Sequence, residues 1–396
     1  MEPRDALFAA LRYELTETLP AGFSFDGIDE TFLKELYDYS NRQEVAHLVG
    51  DALERLGVLA KVSDEVAEPF RRRQAVAAYH AEQQKQVFEE VSAAFEEAEI
   101  PYLPLKGLVI RPLYPEPWMR TAGDLDILVK PEDLERASLL LENLGAKKHA
   151  PGEHEITYLF PTQEVLELHF RLLEDHRAND AKAALDDVWA HTLSVGASNR
   201  YVMEDAWFYY YHLVHMAKHL QEGSCGIRPF LDLWIINHKT EFDSLKRNDL
   251  LQKQNLLNFA EASENLAEVW ISGSKGDDLS KALENFALSS GVFGSQVSRR
   301  ATETYEKRSK LKYYLSRVFV PYSLLKRWEP KLEKHPWLFP FFQIKRWFRI
   351  LFCGGIRHNL QMDREAEKLD QGVLSFEEMR ERLGLLRRTD TETNTK

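Results

Sequence analysis

The sequence predicts an α+β protein in which a small mixed β-sheet module is embedded in mostly helical flanking regions. Three observations carry that expectation. Residues 1–97 repeat apolar side chains at helical spacings of three and four. Residues 98–175 switch to short β-branched and aromatic runs separated by helix signals. After Ala181 the helical grammar returns. A composition of 44% hydrophobic and 29% charged residues in a chain of 396 holds enough apolar surface to offset the entropy of ordering. The net charge of −12 argues against a general nucleic-acid binder. With Cys225 and Cys353 as the two cysteines, neither a disulfide framework nor a cysteine-built zinc site is expected, which suits a reducing cytosol. MEPRDALFAALRYEL lacks the apolar stretch of a signal peptide, and no run approaches the about 20 apolar residues of a membrane-spanning helix. A cytoplasmic protein is the expectation.

In order along the chain, Glu30–Tyr39, Glu44–Leu56 and Asp64–Glu97 read as helices, with Pro20, Gly57 and Pro69 as punctuation. In the third, Val76, Tyr79, Val87, Val91 and Phe95 mark an apolar stripe, leaving QKQ and EE to the other face. IPYLPLKG reads as a strand ending in a turn, GLVIRPLY as a short helix and DLDILV as a strand. PEDLERASLLLENLG is a helix with Pro131 at its start and Gly145 at its end. ITYLF and EVLELHF are two further strands, antiparallel neighbours given the short link PTQ. A helical region spans 176–306, including Asp205–Glu222 and Pro229–Lys239, joined by the turn-rich EGSCGIRP. Residues 307–358 carry 13 Lys or Arg against Glu329 and Glu333, a local charge of +11 interleaved with Trp and Phe. Residues 359–396 read as a helix and a polar tail.

Chemistry is expected in the sheet module. Asp124 and Asp126 are separated by one strand residue, so their carboxylates share a face while Leu125 and Ile127 take the other. Two acids that close suit a cation between them, and oxygen-only ligation suits Mg²⁺; solvated carboxylates at a strand end are the plainer alternative. Lys106 and Gly107 follow a strand and open a helix, where backbone N–H groups can receive phosphate. An ordinary strand-to-helix turn would look the same. In VLELHF, Val165, Glu167 and His169 share one face, and a carboxylate there needs a partner. Glu167 is therefore the candidate third acid.

The set LKG, LYPEP, MR, GDLDILV and LELHFRL resembles the nucleotidyltransferase fold typified by DNA polymerase β, and more closely a bacterial family of uncharacterised nucleotidyltransferases carrying K-G, R-x(3)-D-[LI]-D and a later E-L-H. The resemblance implies that Gly107 lies at the triphosphate, that Asp124, Asp126 and Glu167 are catalytic and hold Mg²⁺ or Mn²⁺, and that a nucleoside triphosphate such as ATP is the substrate. Leu108 stands where the superfamily often has serine, and the third acid is Glu rather than Asp. Phosphate grip is thereby left to backbone N–H, Lys106 and Arg120. The pattern HLVHMAKHLQEGSCGIRPFLDLWII looks like the family's helical segment, which implies a nucleotide-side place for His215 and His219, with Arg228 and Asp232 as a positioning ion pair.

Other features admit more than one reading. His212, His215 and His219 recur on one helical face, yet neighbours such as Leu213 and Leu220 describe a packed helix rather than a zinc site. Basic aromatic segment 307–358 can adsorb to an anionic membrane surface or pack internally, and RNA binding fits it less well. Cys225 and Cys353 read as structural. The expected activity is nucleotidyl transfer from a nucleoside triphosphate to a hydroxyl or phosphate of a small molecule, sugar or protein, releasing pyrophosphate. A nucleotide-binding scaffold without turnover, peripheral to the inner membrane surface, is the competing expectation.

Overall fold

The computed structural model describes residues 1–149, 151–173, 185–223, 225–290, 318–322, 325, 326, 329, 331–352 and 374–385. Cys353, the tail after Arg387 and much of the basic segment, including 307–317 and 353–358, lie outside the described residues. The chain divides into two compact units, one of Met1–Met216 with Arg228–Gly276, the other of Ala217–Ile227 with Asp277–Lys396.

The first unit begins with helices α1 (Pro3–Thr16), α2 (Glu30–Arg42), α3 (Ala46–Arg55) and α4 (Asp64–Glu97). Asp29 caps α2 by accepting from the Phe32 N–H at 2.8 Å, as a short acidic residue at that position should. Pro69 does not punctuate: it sits inside α4, where its ring removes the bond to the Glu65 carbonyl one turn from the start. The apolar stripe of α4 is also shorter than expected. Val87, Val91 and Phe95 are buried against the sheet, whereas Val76 and Tyr79 face solvent and Gln84, assigned to the polar side, is buried.

Five strands follow: β1 (Tyr102–Pro104), β2 (Leu125–Val129), β3 (Lys147–Lys148), β4 (Glu155–Leu159) and β5 (Val165–His169). They form one mixed sheet in the order β1-β2-β5-β4-β3. β2 and β5 run parallel, and β4 and β5 pair antiparallel across the PTQ link. Between β1 and β2 lie the short helix α5 (Gly107–Ile110) and two 3₁₀ turns; between β2 and β3 lies α6 (Leu134–Asn143), entered through Pro131 and closed by Gly145 at φ +86°. One face of the sheet is apolar. Leu125, Ile127, Leu166 and Leu168 pack there on Val91 and Phe95 of α4 and Leu141 of α6. The alternation of strand side chains sends Asp126, Glu167 and Glu155 to the opposite face.

The stretch after Ala181 is not helical throughout. Strands β6 (Thr192–Ser194) and β7 (Tyr201–Met203) make a hairpin whose turn docks on β1, with the Tyr102 N–H donating to the Asn199 carbonyl at 3.0 Å. Helices α7 (Asp205–Gln221), α8 (Arg228–Lys239), α9 (Ser244–Lys253) and α10 (Leu257–Ile271) complete the first unit, α7 running on into the second. In the second unit, α11 (Asp278–Ser290), α12 (Lys331–Lys334), α13 (Phe339–Phe352) and α14 (Phe376–Arg382) are described. Phe286 stacks on Phe376, and Val320, Leu325, Leu332 and Phe342 form a small core. No helix among the described residues is long and apolar enough to cross a membrane.

Candidate active site

The polar face of the sheet is organised by strand register. β2 lies beside β5 so that Asp126 is opposite Glu167, and β5 lies beside β4 so that His169 is opposite Glu155. Asp124 immediately precedes β2. Sequence positions 124, 126 and 167 are thus brought to one place, and Asp126, Glu167 and His169 offer ligand atoms all within 4.8 Å of one another.

Asp126 is 2% exposed, and its Oδ1 accepts from Lys106 Nζ at 2.7 Å and from His169 Nε2 at 2.9 Å. Burial alone would push this carboxyl up, but Lys106 and His169 outweigh it and hold the group well below the usual carboxylate range. At Asp124 the charges of Lys106 and Arg120 are felt too, but they do not outweigh what opposes them. Burial first, then the charges of Asp126 and Glu167, push its carboxyl up to about 6. Lys106 is held charged, because Asp126 and Asp124 more than offset its own desolvation. Burial would lower His169, yet its bonds to Asp126 and Glu167 push it up to about 9. Asp126 and Glu167 side by side, with Asp124 close enough to feel both charges, are carboxylate donors that fit a hard divalent cation.

Lys106 adopts φ +42° and ψ −111°, a conformation that side chains rarely take, and strain of this kind gathers at functional sites. Its ammonium lies 2.7 Å from Asp126 Oδ1. Gly107 has a specific reason to be glycine: a Cβ there would stand 2.7 Å from Arg120 Nη1 and 3.3 Å from Ala122 Cβ. The space beside it, expected to admit a phosphate, is filled by the Arg120 guanidinium. Leu108, in the place of the superfamily's serine, packs against the sheet core.

Arg120 and Asp232 form the ion pair that was expected of Arg228 and Asp232. Arg120 Nη2 donates to Asp232 Oδ2 at 2.9 Å and Nε to Oδ1 at 3.3 Å, a forked geometry in a buried setting. The Tyr114 hydroxyl donates to the same Oδ1 at 2.9 Å. Burial would raise Asp232, and Arg120 reverses the sign. Arg228 turns instead to backbone, donating through Nη1 to the Thr121 carbonyl at 2.8 Å. Two more side chains do likewise: Arg111 Nε donates to the Arg120 carbonyl at 3.1 Å, and Gln84 Nε2 to the Ala122 carbonyl at 3.0 Å. Arg111 Nη2 also donates to Gln84 Oε1 at 2.6 Å. Three consecutive carbonyls before Asp124 are therefore each held by a side chain from a different element.

On α7, His212 Nε2 bonds the Pro229 carbonyl at 3.1 Å in a fully packed setting, and burial lowers its pKa. His215 lies one turn beyond Tyr211, their rings 6.4 Å apart. Tyr211 is the α7 residue that feels the charges of Lys106, Asp126 and Glu167, though burial is the main reason its hydroxyl is pushed up. His219 belongs to the second unit, 3.8 Å from Glu222. Cys225 is buried, which pushes its thiol up to about 12 and makes it a poor nucleophile. Sequence reasoning passed over Gln84, Arg111, Tyr114, Glu155 and Tyr211. His169 was on the right face, and the E-L-H spacing was the signal that could have given it a part.

The sequence matches a family described as uncharacterised nucleotidyltransferase over residues 29–272. No curated protein matches it. Among solved structures, the chain is similar to the antibiotic-resistance factor ANT(2'')-Ia, with 11% identity, 48% of this chain and 90% of that chain covered, and a TM-score of 0.27. The family match spans well over half of the sequence and takes in every element that builds the polar face of the sheet, so the chain belongs to the uncharacterised nucleotidyltransferase family.

Proposed function

We propose that the protein is a nucleotidyltransferase that moves a nucleotidyl group from a nucleoside triphosphate to a hydroxyl or phosphate of a small molecule, sugar or protein, releasing pyrophosphate. Its catalytic module is residues 98–175. The observation that carries this reading is the parallel register that sets Asp126 beside Glu167, with Asp124 two residues before Asp126 and pushed up to about 6 by burial and then by the charges of Asp126 and Glu167. These three acids would hold Mg²⁺ or Mn²⁺, which when bound supplies charge neutralisation for the triphosphate and acidifies the attacking hydroxyl. Glu167, whose side chain is 22% exposed, would take the proton of the acceptor. Lys106 is a mobile counter-charge. It neutralises Asp126 in the free site, and a bound triphosphate would offer it a competing anion, leaving Asp126 free to hold a cation. The Arg120–Asp232 pair and Arg228 act on geometry, by fixing the chain just before Asp124. His215 is assigned to the nucleotide side of α7 through its neighbour Tyr211.

The test is incubation with Mg²⁺ or Mn²⁺ and each α-labelled nucleoside triphosphate in turn, followed by a search for label on the protein and on added metabolites. Asp126→Asn should abolish Mg²⁺-dependent transfer while the circular dichroism spectrum stays native. Transfer surviving in that variant overturns the assignment.

A second reading is a nucleotide-binding scaffold without turnover. The observation favouring it is that Lys106 and His169 already satisfy Asp126 from within the protein. Tight triphosphate binding with no label transferred to any acceptor would select it. We further place the protein in the bacterial cytoplasm, with the second unit touching the inner membrane surface. Trp337, 74% exposed, together with exposed Phe341, Ile344 and Phe348, forms an apolar line on and before α13, beside Lys345 and Arg346. Aromatic and basic residues so arranged suit the interface of an anionic bilayer.

A further inference from the structure

The same sheet face carries a second group of ligand atoms that the carboxylate site does not use. His154 Nε2 lies 3.0 Å from Glu155 Oε2, and His169 Nδ1 lies 3.6 Å from that same oxygen. All three ligand atoms fall within 4.8 Å of one another. For metal–ligand bonds of about 2.0–2.1 Å, the edge of a tetrahedron is about 3.3 Å, so the observed spacings bracket the coordination geometry of zinc. Strand register makes the arrangement: Glu155 is the antiparallel partner of His169, and His154 precedes Glu155 by one residue.

An independent observation points to a ligand. His169 is 3% exposed, and its Nδ1 is buried with no hydrogen-bond partner, at a distance from Glu155 too long for a hydrogen bond. An unpaired buried ring nitrogen is costly unless something fills it. The other nitrogen, Nε2, faces an ionised carboxylate that can only accept, so Nε2 carries the proton. A metal ion entering here would displace the ring's second proton and take the Nδ1 lone pair beside His154 and Glu155. A histidine that binds metal through one nitrogen and donates to a carboxylate through the other is the usual arrangement around protein-bound zinc.

We propose that His154, Glu155 and His169 form a second cation site that takes a borderline transition-metal ion such as Zn²⁺. Two imidazoles and one carboxylate select against Mg²⁺, which prefers oxygen alone, and leave a fourth coordination position. His154 and Glu155, 12% and 23% exposed, give the ion a path from solvent. The bound ion fixes the His169 ring with its Nε2–H on Asp126, so the two sites share one side chain.

The test uses the full chain stripped with a chelator and titrated with Co²⁺ in excess Mg²⁺. Saturable visible absorption of tetrahedral intensity, displaced by one equivalent of Zn²⁺, is the expected result. His154→Gln and Glu155→Gln should each weaken binding by about tenfold or more, and Asp124→Asn should leave it unchanged. The isosteric Glu155→Gln decides the matter if His154→Gln does not fold. The proposal is overturned by absence of saturable binding, by unchanged affinity in Glu155→Gln, or by loss in Glu167→Gln with retention in Glu155→Gln.

Discussion

A single oxygen of Asp126 accepts from both Lys106 and His169, and this local crowding separates the protonation behaviour of the two aspartates. Asp126 stays ionised at any ordinary pH, whereas Asp124 keeps a proton up to about pH 6. Cation binding at Asp124 must displace that proton. Mg²⁺-dependent transfer should therefore fall as pH drops through about 6, with the apparent Mg²⁺ affinity falling in step; a pH profile of rate at saturating and limiting Mg²⁺ checks it. A second buried acid bears on stability. Glu14, in α1, is raised from 4.5 to about 8 by burial and by Asp51. The folded state holds this proton more tightly than the unfolded chain does. Its contribution is complete below about pH 4.5 and is lost as pH climbs toward 8. Glu14→Gln, which mimics the protonated form, should flatten the decline in stability between those values in urea titrations. An unaltered decline would refute the assignment. Gly107→Ala would press Arg120 away from Asp232, because the added carbon meets Nη1 at 2.7 Å.

At the scale of elements, the strands and their faces were legible because alternation along a strand is a local property. Asp124 and Asp126 on one side, Leu125 and Ile127 on the other, and Glu167 with His169 could all be placed from spacing alone. The partners of buried charges were not legible. Arg120 and Asp232 are 112 residues apart, and no periodicity says that Arg120 rather than Arg228 completes the pair. Gln84 was assigned to the wrong side of α4 because it is polar, yet it is buried to hold the Ala122 carbonyl. Replacing it by leucine strands both that carbonyl and Arg111 Nη2. We expect a loss of about 1–3 kcal/mol in unfolding free energy, with kcat reduced more than KM. Asp232→Asn leaves the buried Arg120 charge uncompensated and should cost about 3–5 kcal/mol, measurable by the same titration.

Across the whole molecule, the charge of −12 is an average over unlike parts, with +11 residing in 307–358. If that segment meets an anionic bilayer, flotation with phosphatidylglycerol vesicles should be strong at low salt and weaken as salt rises. Replacing Trp337 and Phe341 by serine should reduce it at every salt concentration. Flotation independent of both salt and these residues would refute the reading.

The clamp on three successive carbonyls also decides how far the strand bearing Asp126 can be separated from its surroundings. Only Arg111 is supplied from within 98–175; Gln84 comes from α4 and Arg228 from α8. An excised 98–175 fragment would keep its acids and lose two of the three donors that aim them. The site is thus not a portable cassette: grafting or minimising it requires carrying along a helix from before and a helix from after, because the residues that shape it are spread along the chain from Gln84 to Asp232.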